Sequence, residues 1–311
     1  MPPSQERNPT RVGPRKAAPS ETVSGVLLID KPPGPSSNAV LQRAKRLLGA
    51  ARAGHTGTLD PLASGLLVIA IGEATKFSGA MLDADKAYRA RVKLGERTAT
   101  GDAEGPVLAR SLAEPARGDL LDVLDRFRGE IEQIPPAHSA IKLLGRPLYA
   151  YARKGVSVLR SPRRVAIRRL ELESFEGNMA VLLVECSKGT YIRTLAEDIG
   201  EALGCGAHVA ALERTAVGAF RLDQAMALHA LEGLSLEARR DRLLPAETLV
   251  GDRPRLTIES LAATKFRRGQ AVTVDHPGGG VAVFDQDGAF LGIGEIDASG
   301  TLKPKRLMTL R

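Results

Sequence analysis

The chain has 311 residues, 43% of them hydrophobic, enough for a substantial buried core, which excludes wholesale disorder. A net charge of +8 and a pI near 9.7 favour a polyanionic partner such as nucleic acid or an acidic membrane surface. Cys186 and Cys205 make no disulfide framework, no apolar run reaches the ~18 residues of a membrane span, and the basic, proline-broken N-terminus is no signal peptide, so a cytoplasmic protein with reduced thiols is expected.

Residues 1–22 read as a disordered basic tail, because five prolines break any helix and there is little apolar surface to bury. From Val23 the pattern becomes that of a folded domain extending to residue 250. Residues 26–29 are a short apolar run bounded by Gly25 and Asp30, which predicts a buried strand. Ser36 or Ser37 then caps a helix with Val40, Leu41, Ala44, Leu47 and Leu48 on its inner face, ended by Gly49. Residues 66–71 and 88–94 predict two more strands, residues 120–127 an amphipathic helix, and residues 165–172 and 181–186 a further strand pair. Residues 190–203 read as a helix with Ile192, Leu195, Ala196, Ile199 and Leu203 facing inward. Strands and helices mix without a regular βαβ beat, so the expected fold is α/β of the α+β kind. Its largely antiparallel, mixed central sheet carries flanking helices and is not doubly wound. Residues 251–311 change texture: short strands at 272–274, 281–285, 289–293 and from 302 onward alternate with glycine turns, predicting a small C-terminal β-barrel.

The chain has no GxxxxGK[ST] phosphate loop, no GxGxxG turn, no GxSxG elbow and no paired Cys/His spacing, so no cofactor or metal is expected. An enzymatic reaction would then run on ordinary side chains. Asp60 stands in Gly54-His55-Thr56-Gly57-Thr58-Leu59-Asp60-Pro61. An isolated Asp-Pro step ordinarily starts a turn, its carboxylate bonded to local amides. Gly54, Gly57 and Gly65 also let backbone approach a ligand closely, and His55 and Thr56 add polar groups to the same loop. Tyr191 and Arg193 lie in the first turn of the 190–203 helix, where the dipole does not favour a cation; an anion facing Arg193 would account for it.

Lys31-Pro32-Pro33-Gly34-Pro35-Ser36-Ser37, the 54–65 stretch, Lys86-Ala87-Tyr88 and Ser187 to Gly200 occur in the order of the TruB family, which the chain resembles from about Gly25 to Phe220. Leu302-Lys303-Pro304-Lys305-Arg306-Leu307 and the strands before it resemble a PUA-type RNA-binding domain. The resemblance implies a pseudouridine synthase fold and a bacterial enzyme that isomerises uridine 55 in the T-loop of tRNA, with base flipping and no cofactor. It makes Asp60 the catalytic carboxylate, as nucleophile or as base. Arg193 becomes its ionic partner, lowering its pKa by roughly 1–3 units. Tyr88 becomes the ring that stacks on the base, with Tyr191 a second ring, Leu212 a wall and His55 the side chain that fills the space left by extruded bases. Lys31, Lys142, Arg153 and Arg214 become phosphate or loop contacts, and Lys303, Lys305 and Arg306 a grip on the acceptor end. Arg163, Arg164, Arg168 and Arg169 remain open between a solvated strand face and an RNA track. A monomer is expected, acting without a guide RNA because the C-terminal module is short and no basic tail follows it. An RNA chaperone that refolds tRNA without essential chemistry is the alternative.

Overall fold

The computed structural model describes residues 23–309, apart from 138, 140–141, 144, 148–150, 152–155 and 157. The N-terminal tail therefore lies outside the described residues.

The apolar run after Gly25 forms β1 (Gly25–Lys31), followed by α1 (Ser37–Leu47), the short β2 (Ala53–His55) and β3 (Ser64–Ile71). Helix α2 (Ser78–Leu82), β4 (Lys86–Leu94), the hairpin of β5 (Glu96–Thr98) and β6 (Val107–Arg110), α3 (Arg117–Arg126) and β7 (Gly129–Gln133) come next. A two-residue ribbon, β8 (Lys142–Leu143) with β9 (Arg146–Pro147), precedes β10 (Arg163–Glu176), β11 (Met179–Cys186) and α4 (Ile192–Ala202). Then follow β12 (Ala207–Val217), β13 (Phe220–Arg221) and β14 (Met226–Ala227).

Ten strands make one sheet in the order β14-β1-β3-β12-β4-β11-β10-β7, with β2 paired to β3 and β13 to β12. Most pairs are antiparallel; β1–β14 and β3–β12 are parallel, so the sheet is mixed, as expected. Both β1 and β3 read as continuous apolar runs because both their faces are covered. Leu27, Ile29, Leu67 and Ile69 pack under α1, while Val26, Leu28, Leu66 and Val68 face Phe77, Leu249 and the C-terminal module. The other half of the sheet lies against α3 and α4 through Val92, Leu124, Leu182, Leu195 and Ile199.

Strand β12 sits at the middle of the sheet and the sequence pattern did not predict it. Its pairing with β4 shifts register between Val209 and Ala211 and again between Arg214 and Ala216, which destroys the two-residue alternation that marks a strand.

β3 meets β12 at only two positions, Ser64↔Glu213 and Gly65↔Arg214, and further along the same edge it pairs with β2 from Ile69 to Ile71. Between these contacts the chain leaves the sheet as residues 56–63. Gly65 makes that junction possible. Its φ is +97°, and a Cβ there would lie 2.4 Å from the Arg214 carbonyl oxygen. Gly65 therefore serves a strand crossing and not a ligand, and Gly54 faces open space.

A second sheet of order β15-β17-β18-β19-β16 begins at β15 (Arg255–Thr257) and continues with β16 (Val272–Thr273), β17 (Gly279–Phe284), β18 (Phe290–Ile296) and β19 (Thr301–Leu307). It is an open half-barrel wrapped around Phe266 of the helix Ser260–Arg267. Phe284 and Phe290 belong to the same apolar cluster as Phe77 and Leu249, and the Phe77 and Phe290 rings meet edge to face at 5.0 Å.

Replacing Gly65 by Ala is expected to destabilise the protein by about 3 kcal/mol, since a left-handed φ and a main-chain clash act together. Urea unfolding of the two proteins measures this; a loss below about 1 kcal/mol would mean that the junction tolerates a Cβ.

Candidate active site

Residues 56–63 have no regular secondary structure, yet their main chain is pinned almost throughout. Gly57 and Thr58 carbonyls accept from the Arg214 guanidinium at 3.1 and 3.4 Å. Ser37 Oγ donates to the Leu59 carbonyl at 2.8 Å and accepts from the Leu59 amide at 2.7 Å. The Asp60 carbonyl accepts from the Ala63 amide and the Pro61 carbonyl from the Gly34 amide. Lys31 Nζ donates to the Pro61 and Ala63 carbonyls at 3.3 and 2.6 Å. The two serines before α1 thus divide their work. Ser36 caps the helix, accepting from the Ala39 amide, and Ser37 turns inward to hold the loop.

Lys31 and Arg214 are 0% and 2% exposed, and their donors are spent on main-chain carbonyls of this loop. Burial pushes the Lys31 ammonium down to about 8, with the nearby Asp60 charge opposing that shift. Arg214 Nε also donates to the Leu66 carbonyl at 2.8 Å, occupying the stretch of β3 edge that neither β12 nor β2 covers.

At the centre of the loop Asp60 Oδ2 lies 3.1 Å from Nε of Arg193, as the resemblance implies. Arg193 is the second residue of α4, whose N-cap is Tyr191. The same guanidinium reaches Asp102 Oδ2 at 3.3 Å and the Thr100 carbonyl at 2.9 Å. Asp102, 3% exposed, is itself fixed by the Thr100 hydroxyl and the Glu104 amide on its other oxygen. The sequence reading missed this second carboxylate. Its signal is the run Thr98-Ala99-Thr100-Gly101-Asp102, in which hydroxyls and a left-handed glycine close a tight turn around an acid.

Burial pushes the Asp60 carboxyl above its ordinary pKa, Arg193 offsets part of that push, Asp102 adds to it and Lys31 again offsets. The outcome is upward, because burial outweighs the opposing Arg193 charge.

Asp60, Tyr88, Tyr191 and Leu212 line one cavity of about 640 Å³, with Arg193 and Arg214 among its other walls. Tyr88 is half-buried on β4, opposite Arg214 of β12. Burial raises its phenol pKa, and the Arg214 charge beside it works the other way. Gln133 holds the main chain of Tyr191 from both sides, accepting from its amide at 3.0 Å and donating to its carbonyl at 3.3 Å. His55 ends β2 beside the loop. Its Nδ1 is buried without a partner among the described residues, and burial with the Arg214 charge lowers its pKa.

Other expected site residues lie elsewhere. Lys303, Lys305 and Arg306 stand on β19 of the C-terminal module; Lys303 pairs with Asp297, while Lys305 and Arg306 border a groove with Lys76. Arg153 and the side chain of Lys142 lie outside the described residues. Arg168 pairs with Asp85 and Arg169 with Glu171 and Glu185, so these two belong to a solvated, self-neutralised face.

A large mixed sheet joined to a small β module is an arrangement shared with known proteins. The chain superposes with a TM-score of 0.70 on a protein solved as "Structure of H/ACA RNP bound to a substrate RNA containing 2'-deoxyuridine", at 26% identity over 92% of this chain and 86% of that one. Three family descriptions match consecutive segments: "TruB family pseudouridylate synthase (N terminal domain)" at residues 45–192, "tRNA pseudouridylate synthase B C-terminal domain" at 193–251 and "Pseudouridine synthase II TruB, C-terminal" at 254–308. Proteins named tRNA pseudouridine synthase B are 53% identical in Thiobacillus denitrificans, over 93% of this chain and 97% of the relative, and 50% identical in Aromatoleum aromaticum, over 92% and 93%. The chain belongs to the TruB family of pseudouridylate synthases.

The raised Asp60 pKa has a thermodynamic consequence. Its folded pKa exceeds the unfolded one, so its charge opposes folding at neutral pH, and that opposition fades as pH falls through the folded pKa towards the unfolded one. Asp60→Asn is therefore expected to keep or raise the thermal midpoint at neutral pH, with the difference vanishing near pH ~3. A clear drop at neutral pH in a thermal melt would show instead that the Asp60–Arg193 pair is a net stabiliser.

Proposed function

We propose that this chain isomerises uridine 55 in the T-loop of tRNA to pseudouridine, with Asp60 as the carboxylate that acts on the extruded nucleoside. The observation that carries this is the placement of Asp60 Oδ2 3.1 Å from Arg193, on a pinned loop, in a cavity that also presents Tyr88 and Tyr191. Relatives at about half identity over almost the whole chain are named tRNA pseudouridine synthase B, and the structural neighbour above was solved with substrate RNA.

The reaction breaks the N1–C1′ bond of uridine, turns the uracil and rejoins it through C5, so nothing is oxidised or hydrolysed. A carboxylate contributes either by attacking the ribose or by removing a ribose proton. A pKa raised by burial suits both roles, since a more basic carboxylate is the better nucleophile and the better base, provided that it is ionised at the working pH. Arg193 keeps it so and fixes its direction. The target base must leave its stack, at a cost of a few kcal/mol; one aromatic face returns roughly 1–3 kcal/mol. Tyr88 alone is then sufficient. The chain acts as a monomer on tRNA without a guide RNA, with Lys305 and Arg306 of the C-terminal groove facing the acceptor end.

Purified protein is expected to convert the uridine of a bare T-arm transcript, read by tritium release. Asp60→Asn should lower turnover at least about 10³-fold while leaving RNA affinity near that of the parent. Turnover by that variant at the parental rate would sink the proposal, and refolding of tRNA without any conversion by the parent would favour a chaperone. Arg193→Lys should cut kcat about 10²-fold with little change in binding. The acid limb of the parental rate profile should turn at a pH above the ordinary ~3.9 of aspartate. A limb at or below that value would contradict the burial-raised Asp60 carboxyl.

A further inference from the structure

Four cationic side chains line the cavity: Lys86, Arg163, Arg193 and Arg214. Three are committed to protein acceptors. Lys86 Nζ caps the end of α2 on the Leu82 and Ala84 carbonyls at 2.9 and 2.6 Å. Arg193 is shared between Asp60 and Asp102, and Arg214 holds Gly57, Thr58 and Leu66. Around the rim, Lys188 pairs with Asp83 and Arg168 with Asp85. Arg163 alone among these has no acceptor in the described residues, and it is exposed.

Its position is not accidental to the site. Arg163 opens β10 and pairs in register with Gln133, the residue that clamps the main chain of Tyr191. Its charge is felt at the Tyr191 phenol, so guanidinium and ring share one wall. The Ser139 hydroxyl faces the same wall. It is 4% exposed and lies within hydrogen-bonding reach of the Tyr191 phenol. The Arg163 guanidinium at the mouth therefore has no protein acceptor among the described residues, and Ser139 backs the ring beside it. An arginine so placed on the wall of a basic cavity is free to take an external anion.

We infer that Arg163, with Ser139 behind it, binds a backbone phosphate next to the extruded uridine. This rests on the activity proposed above. An arginine fork and a hydroxyl match the oxygens of a phosphodiester, and a nucleotide turned out of its stack with its ribose at Asp60 brings a flanking phosphate to the cavity mouth. The contact positions the nucleotide and takes no part in bond making.

The experiment uses full-length protein and a T-arm stem-loop in which the phosphodiesters on either side of the target uridine are replaced one at a time by neutral methylphosphonate. Conversion of the unmodified stem-loop by the parent is established first, and failure there bears on the proposed activity and not on Arg163. Arg163→Gln is expected to raise KM about tenfold with kcat nearly unchanged, and to flatten the slope of log K against log salt by about 0.7–0.9. Arg163→Lys, which keeps the charge, should restore most of the affinity and the salt slope. At one flanking linkage the methylphosphonate should cost the parent as much as Arg163→Gln does, and cost that variant nothing further. Additive losses at both linkages, or an unchanged salt slope, would overturn the assignment, as would a loss confined to kcat.

Discussion

Everything in the catalytic half depends on how residues 56–63 are held. A loop of this kind loses roughly 1–2 kcal/mol of backbone entropy per ordered residue and has no ladder to offset it. Here the offsetting bonds come from outside the segment: Arg214 at its start, Ser37 at Leu59, Gly34 at Pro61 and Lys31 at its end. Two of the donors are buried cations bonded to carbonyls and not to carboxylates, and charge-assisted bonds of that type are worth about 1.5–3 kcal/mol each. Their positive charge stays under the cavity floor, where Lys31 and Asp60 feel each other's charge. Asp60 is thus held in one position by the fold itself, which on the function proposed above leaves little reorganisation for the reaction to drive.

Arg193 links this loop to two other parts of the chain. Its helix starts immediately after the Tyr191 turn clamped by Gln133, and its head group joins Asp60 to the 98–105 turn through Asp102. One guanidinium between two acids leaves a surplus negative charge in the group. Burial is the main reason that Asp60 is made more basic, and the second acid, tightly fixed by Thr100 and Glu104, adds to that shift. Were Asp102 mobile, it could take Arg193 for itself.

How much of this was readable in advance follows from what each residue shows locally. β1 and β3 were legible because two-sided burial writes an unbroken apolar run. Helix α4 was legible from its inner face, and Arg193 stood out in its first turn because a cation there is out of place. β12 was illegible, since two bulges break its alternation and its centre carries Glu213 and Arg214. Lys31 and Arg214 were given by the resemblance as phosphate or loop contacts, and nothing in residue type announces that a cation is buried against carbonyls. Asp102 was missed for a different reason. Its partner lies 91 residues away, and without a known counterpart an acid in a Thr-Gly turn reads as ordinary loop chemistry. The family resemblance supplied the Asp60–Arg193 pairing across the chain, which spacing alone does not contain.

The edge-to-face contact of Phe77 with Phe290 belongs to a core that both halves of the molecule share, reaching from Val26 and Val68 to Ala282 and Phe284. An apolar seam of that kind does not slide. The Asp60 cavity and the groove of Lys76, Lys305 and Arg306 are therefore held at a fixed separation. On the function proposed above, the chain would act as a calliper, gauging an RNA that touches both jaws by the span between them before any base is inspected.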